Sequence, residues 1–367
     1  MTKTLKLETP FTLETGEILP EVEIAYQTFG QLSPQHDNVI WVCHALTANA
    51  DPVEWWPGLV GSGKFFDPKK YFIVCANILG SCYGTTGPAS TNPKTGKVYG
   101  KDFPLVTIRD MVKLHQRLRQ YLSIQKIALA IGGSLGAQQV LEWAITEPNV
   151  LTNICILASN AKHSPWGIAF NEAQRMAIAA DPTYETGGPD AGKQGLAAAR
   201  AIAMLSYRHY NAYGKTQKED SDEILDDFKA SSYQRYQGFK LEQRFDVHAY
   251  ITLSKAMDSH NLGRGRESIE AALASVKASA LIIGIDSDVL FPLNEQEFIA
   301  RHIPKAHFSA ISSSFGHDGF LIESERISAL LAPWMAGRPI APLNGKKVKL
   351  NGNPVKNKIA LPGTERF

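Results

Sequence analysis

A serine set among glycines, in Gly132-Gly133-Ser134-Leu135-Gly136, is the pattern in this 367-residue chain that best suits nucleophilic chemistry. An apolar run at 127–131 precedes it, and a helical spacing of apolar residues follows it. A strand that turns sharply into a helix through Gly-x-Ser-x-Gly exposes the serine hydroxyl and aims helix N–H groups at a developing oxyanion. This context favours a catalytic turn over a tight turn without chemistry, so Ser134 is predicted to be a nucleophile.

A serine hydroxyl needs a base to activate it and an acid to orient that base. In folds that use this turn, the acid and then a histidine follow the serine along the chain. His317 lies in the loop after the last strand-like segment, and Asp286 and Asp288 follow a predicted strand at 280–284. The residues alone leave both aspartates open as the acid.

A second histidine of interest opens the sequence His44-Ala45-Leu46-Thr47, directly after the first buried strand. In folds of this kind that loop supplies one oxyanion N–H group. We therefore predict an oxyanion hole made by the backbone N–H groups of Leu46 and Leu135, with His44 shaping the loop. Four other histidines, in polar or helical stretches, are expected at the surface: His36, His115, His209 and His302.

Alternating strands and helices must position these residues. Continuous apolar runs at 39–43, 71–76, 127–131, 154–158 and 280–284 are typical of buried strands, and helical patterns separate several of them. This order predicts an α/β fold, a mostly parallel sheet with helices on both faces.

The domain organisation follows from a change of pattern near residue 160, where the sequence becomes helical and poor in strands. We predict a core formed by residues 1–160 and 276–337, with a helical cap inserted at 161–275. Residues 338–367 form a polar, Lys-rich tail.

The composition narrows the class of protein. Hydrophobic residues make up 44% and the net charge is +2, which suits a soluble protein and gives no reason to expect nucleic acid as a partner. No apolar run approaches the roughly 20 residues of a membrane span, and no leader-like stretch is visible. The four cysteines form no CxxC pair and are predicted to be free thiols in the cytoplasm. No ligand cluster with metal spacing is present, so no metal is predicted.

The chain resembles the homoserine O-acetyltransferase family from about residue 11 to 334. The resemblance is carried by His44-Ala45-Leu46-Thr47, by Trp55-Trp56, by the serine turn and by Ser287-Asp288-Val289-Leu290-Phe291-Pro292. The most specific stretch is 77–88, Asn-Ile-Leu-Gly-Ser-Cys-Tyr-Gly-Thr-Thr-Gly-Pro. The resemblance implies an α/β-hydrolase fold with a helical cap, and dimers formed through that cap.

The resemblance also implies an activity. Ser134 would take an acetyl group from acetyl-CoA and pass it to the hydroxyl of L-homoserine, a ping-pong reaction of methionine biosynthesis with no bound cofactor. It favours Asp288 as the acid. Within the cap, Arg200 and Tyr207 match the pair that binds the amino acid, and Asp318 matches the residue that holds its ammonium group.

The chain departs from the family pattern at two places. The serine turn continues as Leu135-Gly136-Ala137 where Met-Gly-Gly is usual, and Ala48-Asn49-Ala50 replaces a stretch in which glycine is common. A succinyl-CoA donor or a serine acceptor therefore stays open. Two other classes are also considered, an esterase or thioesterase that uses the same triad and a binding module whose triad is inactive.

Overall fold

The computed structural model describes residues 1–188 and 190–340. Its main sheet has eight strands in the order β1-β4-β6-β5-β7-β8-β9-β10, and a separate hairpin pairs β2 with β3. β4 is antiparallel to β1 and β6, and the other neighbours are parallel. The strands are β1 (Lys3–Lys6), β2 (Phe11–Thr12), β3 (Ile18–Leu19), β4 (Glu23–Phe29), β5 (Val39–Cys43), β6 (Phe72–Ala76), β7 (Leu129–Gly133), β8 (Asn153–Leu157), β9 (Ser279–Ile285) and β10 (Ala306–Ile311).

Helices connect the parallel strands, and the part of the chain between β8 and β9 contributes six of them and no named strand among its described residues. The helices are α1 (Pro52–Trp55), α2 (Ile108–Tyr121), α3 (Leu135–Thr146), α4 (Pro165–Ala179), α5 (Lys193–Tyr207), α6 (Tyr210–Thr216), α7 (Lys229–Glu242), α8 (Val247–Asp258), α9 (Ile269–Ala274), α10 (Leu293–His302), α11 (Gly319–Ile322) and α12 (Ser324–Met335). Short 3-10 turns occupy Gly100–Asp102 and Gly316–Asp318. The predicted α/β class with a mostly parallel sheet is confirmed.

The central strands carry apolar residues on both faces, because helices cover both sides of the sheet. Every residue of β5 and β7 is buried. Two groups of buried side chains lie on opposite faces, one around Trp41 and Trp143 and the other around Trp56 and Phe66. Because parallel strands end at the same edge of a sheet, the loops after β5, β7, β9 and β10 lie at one edge, and all the predicted triad and oxyanion residues are in or beside them.

Two details differ from the sequence-based expectation. The last helix is divided at Glu323 into α11 and α12. His115, expected at the surface, is buried: its ring stacks on Trp143 at 5.6 Å, and its Nε2 lies 2.8 Å from Gln139 Oε1. The reason is the helical period, because His115 follows Met111 by four residues and precedes Leu118 by three, which places all three on the buried face of α2.

The predicted division into core, cap (161–275) and tail remains a prediction, and residues 341–367 of the tail lie outside the described residues. No helix in the described part of the chain is both long enough and apolar enough to cross a membrane. Cys43, Cys75 and Cys155 are buried free thiols, and Cys82 is a partly exposed one.

The buried histidines predict how stability depends on pH. Burial lowers the pKa of His44, His115 and His163 to about 4 and that of His260 to about 3. Between pH 6.5 and these values the unfolded chain binds protons that the folded protein does not, so folding weakens as pH falls. We expect a loss of roughly 1 kcal/mol per histidine between pH 7 and about 5.5 in denaturant titrations.

His115→Gln serves as the matched variant, because it removes one buried imidazole and leaves a neutral side chain. Its stability should fall less steeply with acid than that of the parent protein. The pKa values of the Asp258, Glu295 and Asp318 carboxyl groups are raised, so their protonation favours the folded state as pH falls and opposes this trend. Carboxyl groups start from ordinary pKa values near 4, well below the ordinary value of histidine. A free energy of unfolding that does not change from pH 7 to 5.5 would contradict this account.

Candidate active site

The serine turn is held by close backbone contacts. Ser134 has φ +57° and ψ −128°, a conformation that costs a non-glycine residue about 1–3 kcal/mol. Its N–H donates to the carbonyl of Leu157 at 3.0 Å, and its carbonyl accepts from the Ser159 hydroxyl at 2.9 Å. These two bonds to the end of β8 and the residues after it keep the turn in place.

The two flanking glycines of the motif are needed for space. A Cβ added at Gly132 would lie 2.4 Å from the backbone of Gly136, and one at Gly136 would lie 2.1 Å from the carbonyl oxygen of Cys43. Any larger residue would push α3 away from the end of β5. The glycines therefore bring the serine turn against the loop that starts at His44.

The structure brings His317 and Asp288 together. Nδ1 of His317 lies 2.7 Å from Oδ2 of Asp288, and both side chains are buried. The other oxygen of Asp288 accepts hydrogen bonds from the backbone N–H groups of Leu290 at 2.8 Å and Phe291 at 2.9 Å. Because both oxygens are occupied in this way, the carboxylate is fixed in the position that orients the imidazole.

Asp286, the other candidate for the acid, has a different role. Its Oδ1 accepts a hydrogen bond from the backbone N–H of Ser313 at 3.0 Å and thus joins the loops after β9 and β10. Asp288 therefore contacts the imidazole and Asp286 pairs with the backbone, which favours Asp288 as the acid.

Aromatic rings surround the imidazole of His317. The rings of Phe291, Phe320 and Tyr207 have their centroids 5.1, 5.3 and 5.8 Å from it. Phe320 also covers the serine turn, since a Cβ at Gly133 would lie 2.3 Å from its ring. The imidazole and the turn thus share one aromatic neighbour, and His317 is buried away from water, where electrostatic interactions are stronger.

The two predicted oxyanion N–H groups lie on adjoining segments. Leu135 is the first residue of α3, so its N–H has no acceptor within the helix. Leu46 lies in the loop after β5. His44 Nδ1 lies 2.8 Å from the carbonyl oxygen of Ala45, and the N–H of Ile78 donates to His44 Nε2 at 3.2 Å. A carbonyl can only accept and an N–H can only donate, so the proton of this neutral ring is on Nδ1.

The hydrogen bond from His44 determines the direction of the Leu46 N–H. The carbonyl of Ala45 and the N–H of Leu46 belong to one planar trans peptide, in which the two groups point in opposite directions. Because His44 holds the Ala45 carbonyl, it also fixes the direction of the Leu46 N–H. The expectation that His44 shapes the loop rather than acts as a base agrees with a ring whose burial lowers its pKa to about 4.

Two further residues that the sequence did not reveal hold the same loop. The amide of Gln139 donates to the carbonyls of His44 at 3.3 Å and Leu135 at 3.2 Å, which ties the two halves of the predicted oxyanion hole together. Arg244, from the cap, donates to the carbonyl of Thr47 at 2.7 Å. Gln139 follows Leu135 by one helical turn and could have been suspected, whereas nothing near Arg244 in the sequence pointed to the loop.

A charged cluster adjoins His317 at the end of α5. Arg200 and Tyr207 lie on one face of this helix, with the guanidinium carbon of Arg200 5.3 Å from the ring centroid of Tyr207. Arg200 forms no ion pair and no hydrogen bond with the described residues. Asp318 Oδ2 lies 2.9 Å from Nε of Arg208, a residue that the sequence reasoning did not select. Among the described residues, the cluster thus has one guanidinium without a paired carboxylate.

Burial raises the pKa of Asp318, and the nearby charges of Arg208 and Arg200 oppose that effect. Burial is the larger effect, so the pKa of this carboxyl group lies above its ordinary value, and the two guanidinium groups limit the rise. Within 1–188 and 190–340, no group of three or more His, Cys, Asp or Glu side chains could hold a metal ion.

Ser134, Asp288 and His317 are each buried and follow one another along the chain in the order found in α/β-hydrolases, on a mostly parallel sheet. The α/β hydrolase fold family model matches residues 38–324. Two relatives named homoserine O-acetyltransferase are similar over almost the whole chain. One from Cyclobacterium marinum is 54% identical and covers 87% of this chain and 91% of its own. One from Chlorobaculum parvum is 50% identical and covers 90% and 93%.

The chain belongs to the homoserine O-acetyltransferase family, and it is an acyltransferase. Solved structures support the fold. Homoserine O-acetyltransferase from Bacillus anthracis superposes with a TM-score of 0.84 at 24% identity, covering 93% of this chain and 99% of that one. Esterase E22 superposes with a TM-score of 0.81 at 22% identity, covering 91% and 100%. Likeness of fold therefore does not separate acyl transfer from hydrolysis.

The two aspartates provide a matched test of the acid. Asp288→Asn should lower kcat by about 10³–10⁴-fold, because the imidazole would then adopt the wrong tautomer. Asp286→Asn makes the same chemical change two residues away and should keep turnover within about tenfold of the parent. Steady-state kinetics of both variants would give the ranking, and a larger loss for Asp286→Asn would overturn the assignment.

Proposed function

We propose that this protein transfers the acetyl group of acetyl-CoA to the side-chain hydroxyl of L-homoserine, through an acetyl group carried on Ser134. The observation that supports it most is the charged cluster beside His317. Arg200 has no paired carboxylate among the described residues, and Asp318 is a carboxylate on the neighbouring loop. An amino acid carries one charge of each sign, so this pair suits its carboxylate and its ammonium group.

In the first half-reaction, Ser134 Oγ attacks the thioester carbonyl while Nε2 of His317 takes its proton. Asp288 holds the imidazolium that forms, and the N–H groups of Leu46 and Leu135 stabilise the oxyanion. When the tetrahedral intermediate collapses, the C–S bond breaks and the proton on His317 passes to the leaving thiolate. The products are free CoA and acetyl-Ser134.

In the second half-reaction, the homoserine hydroxyl attacks the same carbonyl and His317 takes its proton. The bond to Ser134 Oγ then breaks, and His317 returns a proton to the serine. The planar fork of Arg200 would bind the carboxylate of homoserine, and Asp318 its ammonium group. Tyr207 lies between Arg200 and His317 and would fix the distance from the bound amino acid to the base.

Hydrolysis on the same triad is the second candidate, supported by the likeness of fold to esterase E22. The two reactions differ only in the group that attacks acetyl-Ser134, which is water in one and a bound amino acid in the other. A serine acceptor or a succinyl donor would use the same machinery. An esterase has no use for a paired cation and anion beside its base, and this favours transfer.

We further propose that the protein forms a homodimer through the cap (161–275). We also propose that it acts in the cytoplasm, in methionine biosynthesis. The cap exposes large apolar side chains that a partner could cover. Among them are Leu205, Tyr210, Leu225, Phe228, Tyr236 and Phe239.

Arg200→Ala separates the two half-reactions. The release of CoA in the first turnover should be nearly unchanged, because acylation of Ser134 does not use the amino-acid site. The homoserine-dependent turnover should fall by about 10²-fold or more, since an unpaired carboxylate would enter a partly dry site. Rapid-quench assays of CoA release and steady-state assays of product measure the two phases.

Arg235→Ala is the matched control, because Arg235 lies in the same cap but pairs with Asp227 at an exposed position. It should behave like the parent protein in both phases. If Arg200→Ala lowers both phases equally, or changes neither, the amino-acid site is wrong and hydrolysis becomes the better proposal.

A further inference from the structure

Arg208 shares the charged cluster with the residues predicted from the sequence, and it has no assigned role. We propose that Arg208 is a positioning residue for the acyl acceptor, which keeps Asp318 ionised so that this carboxylate can bind the ammonium group of an α-amino acid. The inference rests on the proposed function and adds to it a residue that would determine acceptor specificity.

The geometry of the pair is fixed by the backbone. Arg208 is the residue at which α5 ends, and its extended backbone follows Tyr207 directly. A Cβ at Gly316 would lie 3.0 Å from the carbonyl carbon of Arg208 and 3.1 Å from the carbonyl oxygen of Tyr207. The histidine loop and the end of α5 are therefore in direct contact, which holds Asp318 and Arg208 side by side.

Asp318 needs a cation because it is nearly dry, with 15% of its side chain exposed. The groups that face it are Arg200, Tyr207 and Arg208 from the α5 segment, Tyr213 from α6, and His317 and Asp288 from the loops of the core. Burial and the negative charge of Asp288 raise the pKa of Asp318, whereas Arg208, Arg200 and His317 lower it.

Acceptor binding changes this balance. When the carboxylate of the amino acid binds Arg200, it neutralises the charge of that guanidinium towards Asp318. Among the described residues, two arginines face the Asp318 carboxylate. Once Arg200 is neutralised, Arg208 is the one whose positive charge still acts on Asp318. It is the group that would keep Asp318 negative at the moment when the ammonium group needs a partner.

The contact leaves room for the ammonium group. The ion pair joins Nε of Arg208 to Oδ2 of Asp318, and the N–H of this nitrogen does not point at the oxygen as it would in a hydrogen bond. No described donor is hydrogen-bonded to Oδ1. The guanidinium also lines a cavity of about 170 Å³ with Thr216 and Gln217, where water can solvate its remaining N–H groups.

The test is the pH dependence of kcat/KM, measured separately for homoserine and for acetyl-CoA from about pH 5.5 to 8.5. Arg208→Leu should raise the pKa of Asp318, so a larger fraction is protonated at any given pH. In the pH profile of kcat/KM for homoserine, the acidic limb should shift to higher pH by about one unit. In the profile for acetyl-CoA, the acidic limb should not shift. Near pH 6.5, KM for homoserine should rise about tenfold, more than kcat falls.

Arg208→Lys keeps the positive charge, so the acidic limb of its homoserine profile should lie close to that of the parent protein. Arg208→Leu combined with Asp318→Asn should be no worse than Asp318→Asn alone, because Arg208 acts through Asp318. Arg235→Leu, at the exposed pair with Asp227, is the control and should match the parent.

A raised KM with an unmoved acidic limb would show a merely structural role and overturn the inference, as would equal shifts of the limb for both substrates. Failure of Arg208→Lys to restore the limb would also overturn it. These outcomes require a parent protein that acetylates homoserine. If the parent releases CoA but makes no homoserine product, the proposed function fails first and this inference fails with it.

Discussion

The close approach of α3 to the end of β5 is the constraint on which the rest of the site depends. Gly136 meets the carbonyl of Cys43 with no room for a side chain, and Gln139, one turn further along α3, bridges the two segments. This contact brings the strained Ser134 turn beside the loop that carries Leu46. The predicted nucleophile and both predicted oxyanion donors are therefore placed by backbone packing, which is the preorganisation that oxyanion stabilisation needs.

The second level of organisation is the contact between the histidine loop and the cap. Gly316 lies against the backbone that follows Tyr207, while His317 reaches Asp288 on one side and the ring of Tyr207 on the other. The predicted base and the predicted amino-acid site therefore lie at one contact between two segments of the chain. In the proposed function, residues of the helical region 161–275 supply the charges beside His317 that would direct the reaction to an amino acid rather than to water.

The sequence predicted the local parts of this arrangement well. A buried strand, the glycine-flanked serine and the helix after it are set by short-range rules, and the strands at β5, β7 and β9 followed from continuous apolar runs. The choice of Asp288 needed the family resemblance. Arg208 and Arg244 were missed because their partners lie far along the chain, and His115 was misplaced because polarity was weighed above its helical position.

The fate of acetyl-Ser134 distinguishes acyl transfer from hydrolysis. The protein would be acylated with radiolabelled acetyl-CoA, separated rapidly from CoA and digested to confirm the label on the peptide of Ser134. A second portion would be mixed with homoserine or with buffer alone. With homoserine, the label should leave as O-acetylhomoserine far faster than it leaves as acetate in buffer. Release as acetate at one rate with and without homoserine, or label on another peptide, would contradict it.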